Sequence, residues 1–169
     1  FERELLAQKR PTVVIFHNKQ FYTPGNIASN ALQSALNAAG ADVALFARTE
    51  ADLQAVKAEI EALGRRAIAV QGDVNKEEDL DKLIVRTVEE LGKINVLINN
   101  VGGGGPNDPR KVAGKAVGDM LAFNVVPAYT LIQKAAAAME AAGGGAVVNI
   151  SSTAANCPVR LMTWVRVSR

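Results

Sequence analysis

Arg48, Asp73, the pair Asn99 and Asn100, and Ser152 each come at the end of, or shortly after, a run of β-branched or aliphatic residues. An arginine can bind a phosphate, a carboxylate can accept a hydrogen bond from an amino group, and a side-chain amide can both donate and accept. A serine hydroxyl can donate to a carbonyl oxygen on which negative charge develops. These residue types would suit a nucleotide and a reacting carbonyl, provided that the fold brings them together.

The apolar runs predict the elements that position these residues. They alternate with longer segments whose apolar residues recur at helical spacing, which is the pattern of a parallel sheet with crossover helices. The sequence therefore predicts the α/β class, with a Rossmann-type doubly wound parallel sheet of strand order 3-2-1-4-5 in one domain, 1–169. The predicted strands are 12–16, 42–46, 67–71, 95–99 and 146–150, and the predicted helices are 26–39, 49–63, 75–91 and 116–142, the last with a kink or break at Pro127.

Two of the predicted helices begin with a capping-box pattern. Thr49 is followed three residues later by Asp52, and Asn75 is followed in the same way by Glu78. Each helix also carries an apolar stripe that we expect to face the sheet. The stripes are Leu53, Val56, Ile60 and Leu63 in the first helix, and Leu80, Leu83, Ile84, Val88 and Leu91 in the second.

Composition excludes several classes of protein. The 169 residues are 49% hydrophobic and 21% charged with one cysteine, Cys157, which excludes a disordered chain and a disulfide scaffold. The net charge of +2 does not provide the basic stripe of a nucleic-acid-binding protein. No run approaches the roughly 20 apolar residues of a membrane helix, and His17 is the only histidine, so we predict neither a membrane partner nor a metal site. The expected location is cytoplasmic.

Each candidate residue has a structural interpretation beside the functional one. Arg48 suits the 2′-phosphate of NADP, but it could also be a solvated surface arginine. Asp73 could accept from the amino group of adenine or cap a helix, and Asn99 with Asn100 could stabilise a buried turn. Asn124 lies inside a predicted helix, where asparagine is disfavoured, so it either bonds the backbone at a kink or holds a water.

Taken together, these spacings resemble the short-chain dehydrogenase/reductase family. The resemblance covers about residues 38–155 and implies a nicotinamide-dependent oxidoreductase that acts on a small-molecule carbonyl or secondary alcohol. The matching stretches are Gly40-Ala41-Asp42-Val43-Ala44-Leu45, Gly72-Asp73-Val74, Leu97-Ile98-Asn99-Asn100-Val101-Gly102, Asn124-Val125 and Val148-Asn149-Ile150-Ser151-Ser152.

The resemblance also implies roles for individual residues. Asp73, Val74 and Asn100 would contact the adenosine of the cofactor, and the glycine at 102 would allow the backbone to approach it closely. Asn124 would be the helix asparagine that positions a relay water, and Ser152 would be the catalytic serine. An arginine at the position of Arg48 usually accompanies NADP in this family, so the resemblance implies NADP as the cofactor.

The loop after the first predicted strand departs from the family pattern. The family has spaced glycines there, which let the backbone approach a pyrophosphate at a helix N-terminus. Residues 17–26 contain only one glycine, Gly25, and the segment is longer than the pattern. Phe21 and Tyr22 could fill the phosphate volume, unless the insertion turns outward and residues 23–26 form a substitute anion site. Gly25 is carried over as a cofactor-binding residue on that condition.

The end of the chain is the second departure. The family has an acid-base tyrosine thirteen residues after its serine and a lysine four residues further on, but counting from Ser152 gives Val165 and Arg169. The chain as written therefore lacks the proton donor, and we expect a truncated or C-terminally altered member of the family. Two other interpretations stay open. One is an inactive NADP-binding or scaffolding relative, and the other is a halohydrin-dehalogenase-like lyase, in which an arginine replaces the lysine.

Oligomerisation is predicted from the long alanine-rich helix. Its small side chains, including Ala135 to Ala138, permit close helix packing, and the helix is more apolar than contact with one sheet face requires. The family resemblance implies dimer or tetramer contacts through the same helix. We therefore expect a homo-oligomer.

Overall fold

The computed structural model describes residues 12–16, 40–103 and 113–151. Within these residues, five parallel strands form one sheet in the order β3-β2-β1-β4-β5, which confirms the predicted fold class and strand order. Gly25, Ser152 and the predicted helix 26–39 lie outside the described residues. The strands are β1 (Thr12–Phe16), β2 (Asp42–Ala47), β3 (Ala67–Gln71), β4 (Val96–Asn99) and β5 (Ala146–Asn149). The helices are α1 (Glu50–Ala62), α2 (Glu77–Leu91), α3 (Gly114–Asn124) and α4 (Val126–Ala141).

Helices cover both faces of the sheet because alternate strand residues point to opposite faces. On one face, Leu45 of β2 belongs to a buried cluster with Leu53 of α1. On the other face, the next residue, Phe46, is fully buried in a cluster with Leu80 of α2 and Leu131 of α4. The helix α3 packs on α4. This arrangement leaves the carboxyl ends of the strands at one edge of the domain.

The predicted helix starts and stripes need correction at four places. Thr49 is the N-cap of α1 but makes no side-chain capping bond, and the N-cap of α2 is Lys76 rather than Asn75. Leu63 is 58% exposed because α1 ends at Ala62, which leaves Leu63 as the C-cap beyond the last helical residue. Val88 is 38% exposed.

Thr87 explains why Val88 is not part of the buried stripe of α2. The stripe runs through Leu80, Leu83, Thr87 and Leu91, so a polar residue takes the position on the core side. The hydroxyl of Thr87 donates to the carbonyl oxygen of Leu83 at 2.6 Å, which satisfies it inside the core. A search for apolar residues alone therefore assigns Val88 to the buried stripe, although Thr87 is the residue that lies there.

The predicted helix 116–142 is two helices, and the break near Pro127 is confirmed. The first helix ends at Asn124 and the second begins at Val126, with Val125 between them. Pro127 stands in the first turn of α4, where its missing N–H removes no helical hydrogen bond. The break places the side chain of Asn124 at a helix end.

A buried carboxylate joins the elements at the amino-terminal edge of the sheet. Asp42 begins β2, and its two oxygens accept from Nη2 of Arg65 and Nη2 of Arg66, both at 2.7 Å. Burial alone would raise the pKa of Asp42, but hydrogen bonds and charge from Arg66, with the charge of Arg65, outweigh burial and hold that pKa below its ordinary value. Arg66 also donates to the carbonyl oxygens of Glu90 and Leu91 at the end of α2.

Candidate functional site

The carboxyl ends of four strands bring most of the candidate residues to one edge. Arg48 follows β2, Asp73 follows β3 by two residues, Asn100 follows β4 and Ser151 follows β5 by two residues. In a doubly wound sheet this edge forms the crevice that receives ligands. Ser152 is the next residue after Ser151 but lies outside the described residues, as does Gly25.

The segments after β2 and β3 are fastened to each other at this edge. The side-chain amide of Gln71 donates to the carbonyl oxygen of Arg48 at 2.9 Å, and the backbone N–H of Gly72 donates to the carbonyl oxygen of Ala47 at 3.0 Å. The side chain of Arg48 is exposed. Arg48 and Asp73 therefore belong to one hydrogen-bonded corner, which places a cation and an anion on the same rim.

Gly72 makes the corner compact. A Cβ at this position would lie 2.6 Å from the ring of Phe46 and 2.8 Å from the Cβ of Asp79. Real Cβ atoms are not found that close to a neighbour, so only glycine lets the chain pass between the core ring and α2. The close packing fixes the start of the turn that carries Asp73.

The carboxylate of Asp73 organises the turn between β3 and α2. Its Oδ1 accepts from the backbone N–H of Asn75 at 3.0 Å and from Nδ2 of Asn75 at 2.8 Å, which forms an Asx turn. Its own N–H donates to Oδ2 of Asp79 at 2.8 Å. Among the described residues, both bonds to the carboxylate end on Oδ1, so Oδ2 remains available as an acceptor. Asp73 does not cap α2, because that position belongs to Lys76.

A small cavity lies beside the end of β4. Val74 is buried, and it lines this cavity together with Val101, which follows β4. The cavity measures about 10 Å³, which is enough for one water molecule. The remaining lining residues are Asn99, Phe123, Asn124, Pro127, Ala128 and Leu131. The cavity is thus part of the packing behind the crevice and is too small for a cofactor.

The two asparagines at the end of β4 have different surroundings. Asn99 is buried, and its Nδ2 donates to Oδ1 of Asn149 at 2.8 Å on the neighbouring strand. Its Oδ1 is buried without a hydrogen-bond partner in the part of the chain that the structure describes. Asn100 is half-buried and stands at the crevice edge. The first asparagine therefore joins two strands, and the second lies at the edge where β4 ends.

Asn124 fastens the segment after β4 to the end of α3. Its Oδ1 accepts from the N–H of Gly103 at 2.7 Å, and its Nδ2 donates to the carbonyl oxygens of Gly103 at 3.0 Å and of Met120 at 2.8 Å. A Cβ on Gly102 would lie 3.1 Å from that Oδ1, so a glycine at 102 allows the close approach. Of the two sequence interpretations of Asn124, the structure shows the backbone-bonded one.

Three residues of this edge were given no role in the site by the sequence analysis, which considered Asn75 only as a helix cap and quoted Asn149 only within a matching stretch. Asn75 and Asp79 bond the turn that carries Asp73, and Asn149 accepts from Asn99. The Asp-x-Asn spacing of Asp73 and Asn75 is a known turn signal and could have identified Asn75. Nothing in the sequence alone pairs Asn99 with Asn149, because that contact depends on strand register.

Comparison with known proteins identifies the family. The model of the short chain dehydrogenase family matches residues 29–164, which is most of the chain. The protein belongs to the short-chain dehydrogenase family. This assignment confirms the resemblance drawn from the sequence motifs. The family binds NAD(P) cofactors.

The matches to relatives in the family cover only part of the length of each relative. An uncharacterised oxidoreductase of Mycobacterium tuberculosis is 42% identical over 124 residues, which are 73% of this chain and 47% of that protein. An L-rhamnose 1-dehydrogenase (NAD(P)(+)) of Sphingomonas is 37% identical over 118 residues, which are 69% of this chain and 46% of that protein. The chain thus spans about half the length of these curated relatives.

A solved structure shares the fold. A Sinorhizobium meliloti protein assigned as a short-chain alcohol dehydrogenase superposes with a TM-score of 0.79 at 26% sequence identity. The match covers 95% of this chain and 62% of that one. The described residues contain no helix long and apolar enough to span a membrane, and no group of three or more His, Cys, Asp or Glu residues suited to a metal.

Proposed function

We propose that this protein is an NADP(H)-dependent oxidoreductase of the short-chain dehydrogenase type that acts on a carbonyl or a secondary alcohol. The observation that carries the proposal is the corner at which Arg48 and Asp73 follow adjacent strands. Hydrogen bonds from Gln71 and Gly72 hold the two segments together. A guanidinium can bind a phosphate, and a carboxylate can accept from an amino group. The same corner therefore has a partner for the phosphate of a phosphorylated adenosine and one for its adenine amino group.

The described residues fit the adenosine half of the cofactor. Oδ2 of Asp73 is an acceptor, as the amino group of adenine requires. The backbone N–H of Val74 has no acceptor among the described residues, so it is a donor for the same ligand. Asn100 and Gly102 would line the same crevice. In this proposal Arg48 binds the 2′-phosphate and selects NADP over NAD.

The reacting end of the site is proposed from the family resemblance. When bound, the cofactor supplies or accepts the hydride. The hydroxyl of Ser152 would donate a hydrogen bond to the substrate oxygen and so stabilise the negative charge that develops there. Asn124 holds Gly103 through both of its amide atoms, which supports a positioning role for Asn124 in the segment after β4. That Asn124 also positions a water is retained as a prediction.

Binding measurements with two cofactors test the proposal. NADPH and NADH are titrated against the wild type, Arg48→Ala and Lys82→Ala, followed by fluorescence or calorimetry. We expect Arg48→Ala to weaken NADPH binding about 10- to 100-fold, because a charge-assisted bond is worth about 1.5–3 kcal/mol, and to leave NADH binding nearly unchanged. Lys82→Ala removes an exposed cation from α2 and serves as the matched control. A wild type that binds neither dinucleotide would overturn the proposal.

Turnover of a ketone or a secondary alcohol is the second measurement. The sequence places Val165 and Arg169 where the family has its tyrosine and lysine. Reduction of a ketone with NADPH, lost in Ser152→Ala, supports the oxidoreductase. NADPH binding without turnover would instead point to the inactive binding relative, and halide release from a halohydrin would point to the lyase.

We also propose a homo-oligomer, formed through an apolar stripe on α3 and α4. Val117, Leu121, Val125 and Tyr129 are between 44% and 62% exposed and recur every fourth residue. Two i to i−4 hydrogen bonds, from Val125 to Leu121 and from Tyr129 to Val125, keep that spacing helical across the break. Of Ala135 to Ala138, which the sequence suggested for this contact, Ala135 is buried in the core, whereas Ala136 and Ala137 are exposed.

Sedimentation measurements test the oligomer. We expect Leu121→Glu to convert a dimer or tetramer to a monomer, because it places a charge in the centre of the stripe. Lys115→Glu, on an exposed position of the same helix, is the matched control. A wild type that sediments as a monomer would contradict the proposal. The cytoplasmic location stays a prediction from the sequence.

A further inference from the structure

Two side chains outside the Asp73-Val74 motif hold the turn between β3 and α2. Asn75 bonds the carboxylate of Asp73, and Asp79 bonds its backbone N–H. Neither residue follows directly from the end of a strand, and neither was needed to explain the crevice. Their common partner, Asp73, is the acceptor that the proposed function assigns to the adenine.

Asn75 determines which oxygen of Asp73 is left for a ligand. It donates twice to Oδ1, through its backbone N–H at 3.0 Å and through Nδ2 at 2.8 Å. Two donors on one oxygen prevent the carboxylate from rotating, so Oδ2 keeps one direction. A fixed acceptor does not have to be ordered when the ligand binds, which lowers the entropic cost of binding.

Asp79 determines where the turn itself sits. It lies in the first turn of α2, is half-buried, and accepts the Asp73 N–H on its Oδ2 at 2.8 Å. A Cβ on Gly72 would lie 2.8 Å from the Cβ of Asp79, so the helix and the turn are in close contact. The backbone position of Asp73 is therefore set by α2, and the orientation of its carboxylate is set by Asn75.

We propose that Asn75 and Asp79 are positioning residues that aim Oδ2 of Asp73 at the exocyclic amino group of a purine and so make the site specific for adenine. This inference rests on the proposed function. Hypoxanthine has an oxo group in place of the amino group of adenine. An oxo group facing a fixed carboxylate oxygen brings two acceptors together, so no hydrogen bond forms and the two groups repel.

The probe is a pair of cofactors that differ at this group and at the adjacent ring atom N1, which carries a hydrogen in hypoxanthine and none in adenine. NADPH and its hypoxanthine analogue, deamino-NADPH, are titrated against the full chain, and the ratio of their dissociation constants is the readout. We expect the wild type to prefer NADPH about 10-fold or more, because a hydrogen bond to a charged group is worth about 1.5–3 kcal/mol. A variant that only disturbs the fold weakens both ligands and leaves the ratio unchanged.

Variants at Asn75 test whether this residue fixes the orientation of the Asp73 carboxylate. We expect Asn75→Ala to weaken NADPH binding about 3- to 10-fold and to change the binding of the analogue little, so the ratio falls. Asn75→Asp is close in shape but has no side-chain donor, and we expect the same loss. Asn75→Ser, whose hydroxyl can donate to Oδ1, restores part of the ratio.

Variants at Asp79 test the position of the turn. Asp79→Ala removes the acceptor of the Asp73 N–H and lowers the ratio, whereas Asp79→Asn retains an acceptor oxygen and keeps the ratio near the wild-type value. Glu78→Ala is the matched control, because Glu78 is an exposed acid in the same helical turn and its carboxylate forms no hydrogen bond within the described residues.

The outcomes separate this inference from the proposed function. A wild type that binds neither cofactor overturns both. A wild type that binds NADPH and deamino-NADPH equally well leaves the proposed function standing and overturns adenine recognition through Asp73. A wild-type preference that is unchanged in Asn75→Ala, Asn75→Asp and Asp79→Ala overturns the positioning roles alone.

Discussion

The side-chain amide of Asn99 donates a hydrogen bond to Oδ1 of Asn149 at 2.8 Å, which joins the last residues of β4 and β5. A backbone bond from the N–H of Ile150 to the carbonyl oxygen of Asn99 lies beside it at 2.9 Å. The two bonds fix the point at which the chain leaves β5 for Ser151. The buried Asn99 at the end of β4 thus positions the residues that follow β5.

Removal of the acceptor tests this strand link. We expect Asn149→Ala to lower the free energy of unfolding by about 1–2 kcal/mol, because it removes the short bond to a buried amide donor and leaves only a 3.5 Å contact with the carbonyl oxygen of Ala128. Urea unfolding followed by circular dichroism measures the change. Asn149→Asp retains the acceptor oxygen and should cost less. Equal losses in the two variants would show that the hydrogen bond is not what stabilises this edge.

Gly72 gives a prediction about packing at the Asp73 corner. We expect Gly72→Ala to lower the free energy of unfolding by about 1–3 kcal/mol, because the added methyl group would overlap the ring of Phe46 and the Cβ of Asp79. Gly118→Ala is the matched control, since a Cβ there meets nothing within 4 Å and glycine is unfavourable inside α3. It should instead stabilise the protein by about 0.5–1 kcal/mol. Thermal or urea unfolding of both variants measures the contrast, and a neutral Gly72→Ala would contradict it.

The sheet was predictable because each strand is a short apolar run between helical segments. The strand predicted at 67–71 agrees with β3, and 95–99 and 146–150 differ from β4 and β5 by one residue each. Helix entry was less predictable, because the capping pattern at Asn75 and Glu78 competes with a local turn. The side chain of Asn75 bonds Asp73 instead of an amide of the helix, which begins two residues later.

The candidate site was predictable where it depends on strand ends and unpredictable where it depends on register. Arg48 and Asp73 could be placed together because parallel strands finish at one edge. The engagement of Asn124 with Gly103 could not be derived from sequence distance, because it joins residues 21 positions apart across two elements. The same holds for the contact of Asn99 with Asn149.

Asp42 gives a prediction about pH. Its pKa is held below the ordinary value, so the carboxylate stabilises the fold above the unfolded-state pKa of about 3.9, and this contribution is lost as the pH falls through the folded-state pKa. We expect Asp42→Asn to lower the free energy of unfolding by about 2 kcal/mol at pH 7. The difference from the wild type should shrink below about pH 4.

Urea unfolding of wild type and Asp42→Asn at pH 7 and pH 3 measures this dependence. Asp119→Asn is the control, because its partner Lys115 and the carboxylate itself are both exposed, and such pairs contribute about 0–1 kcal/mol. A difference between wild type and Asp42→Asn that is the same at both pH values would contradict the electrostatic explanation.

Asn124 gives the prediction that links stability to binding. We expect Asn124→Ala to lower the free energy of unfolding by about 1–3 kcal/mol, because it removes three hydrogen bonds at the end of α3. We also expect it to weaken NADPH binding, since Gly103 loses the side chain that fastens the segment after β4. Asn124→Asp retains only the acceptor for the Gly103 N–H, so its stability and NADPH affinity should lie between those of the wild type and Asn124→Ala. If Asn124→Ala loses stability but binds NADPH as the wild type does, the segment after β4 does not contribute to the cofactor site, and Asn124 is a structural residue alone.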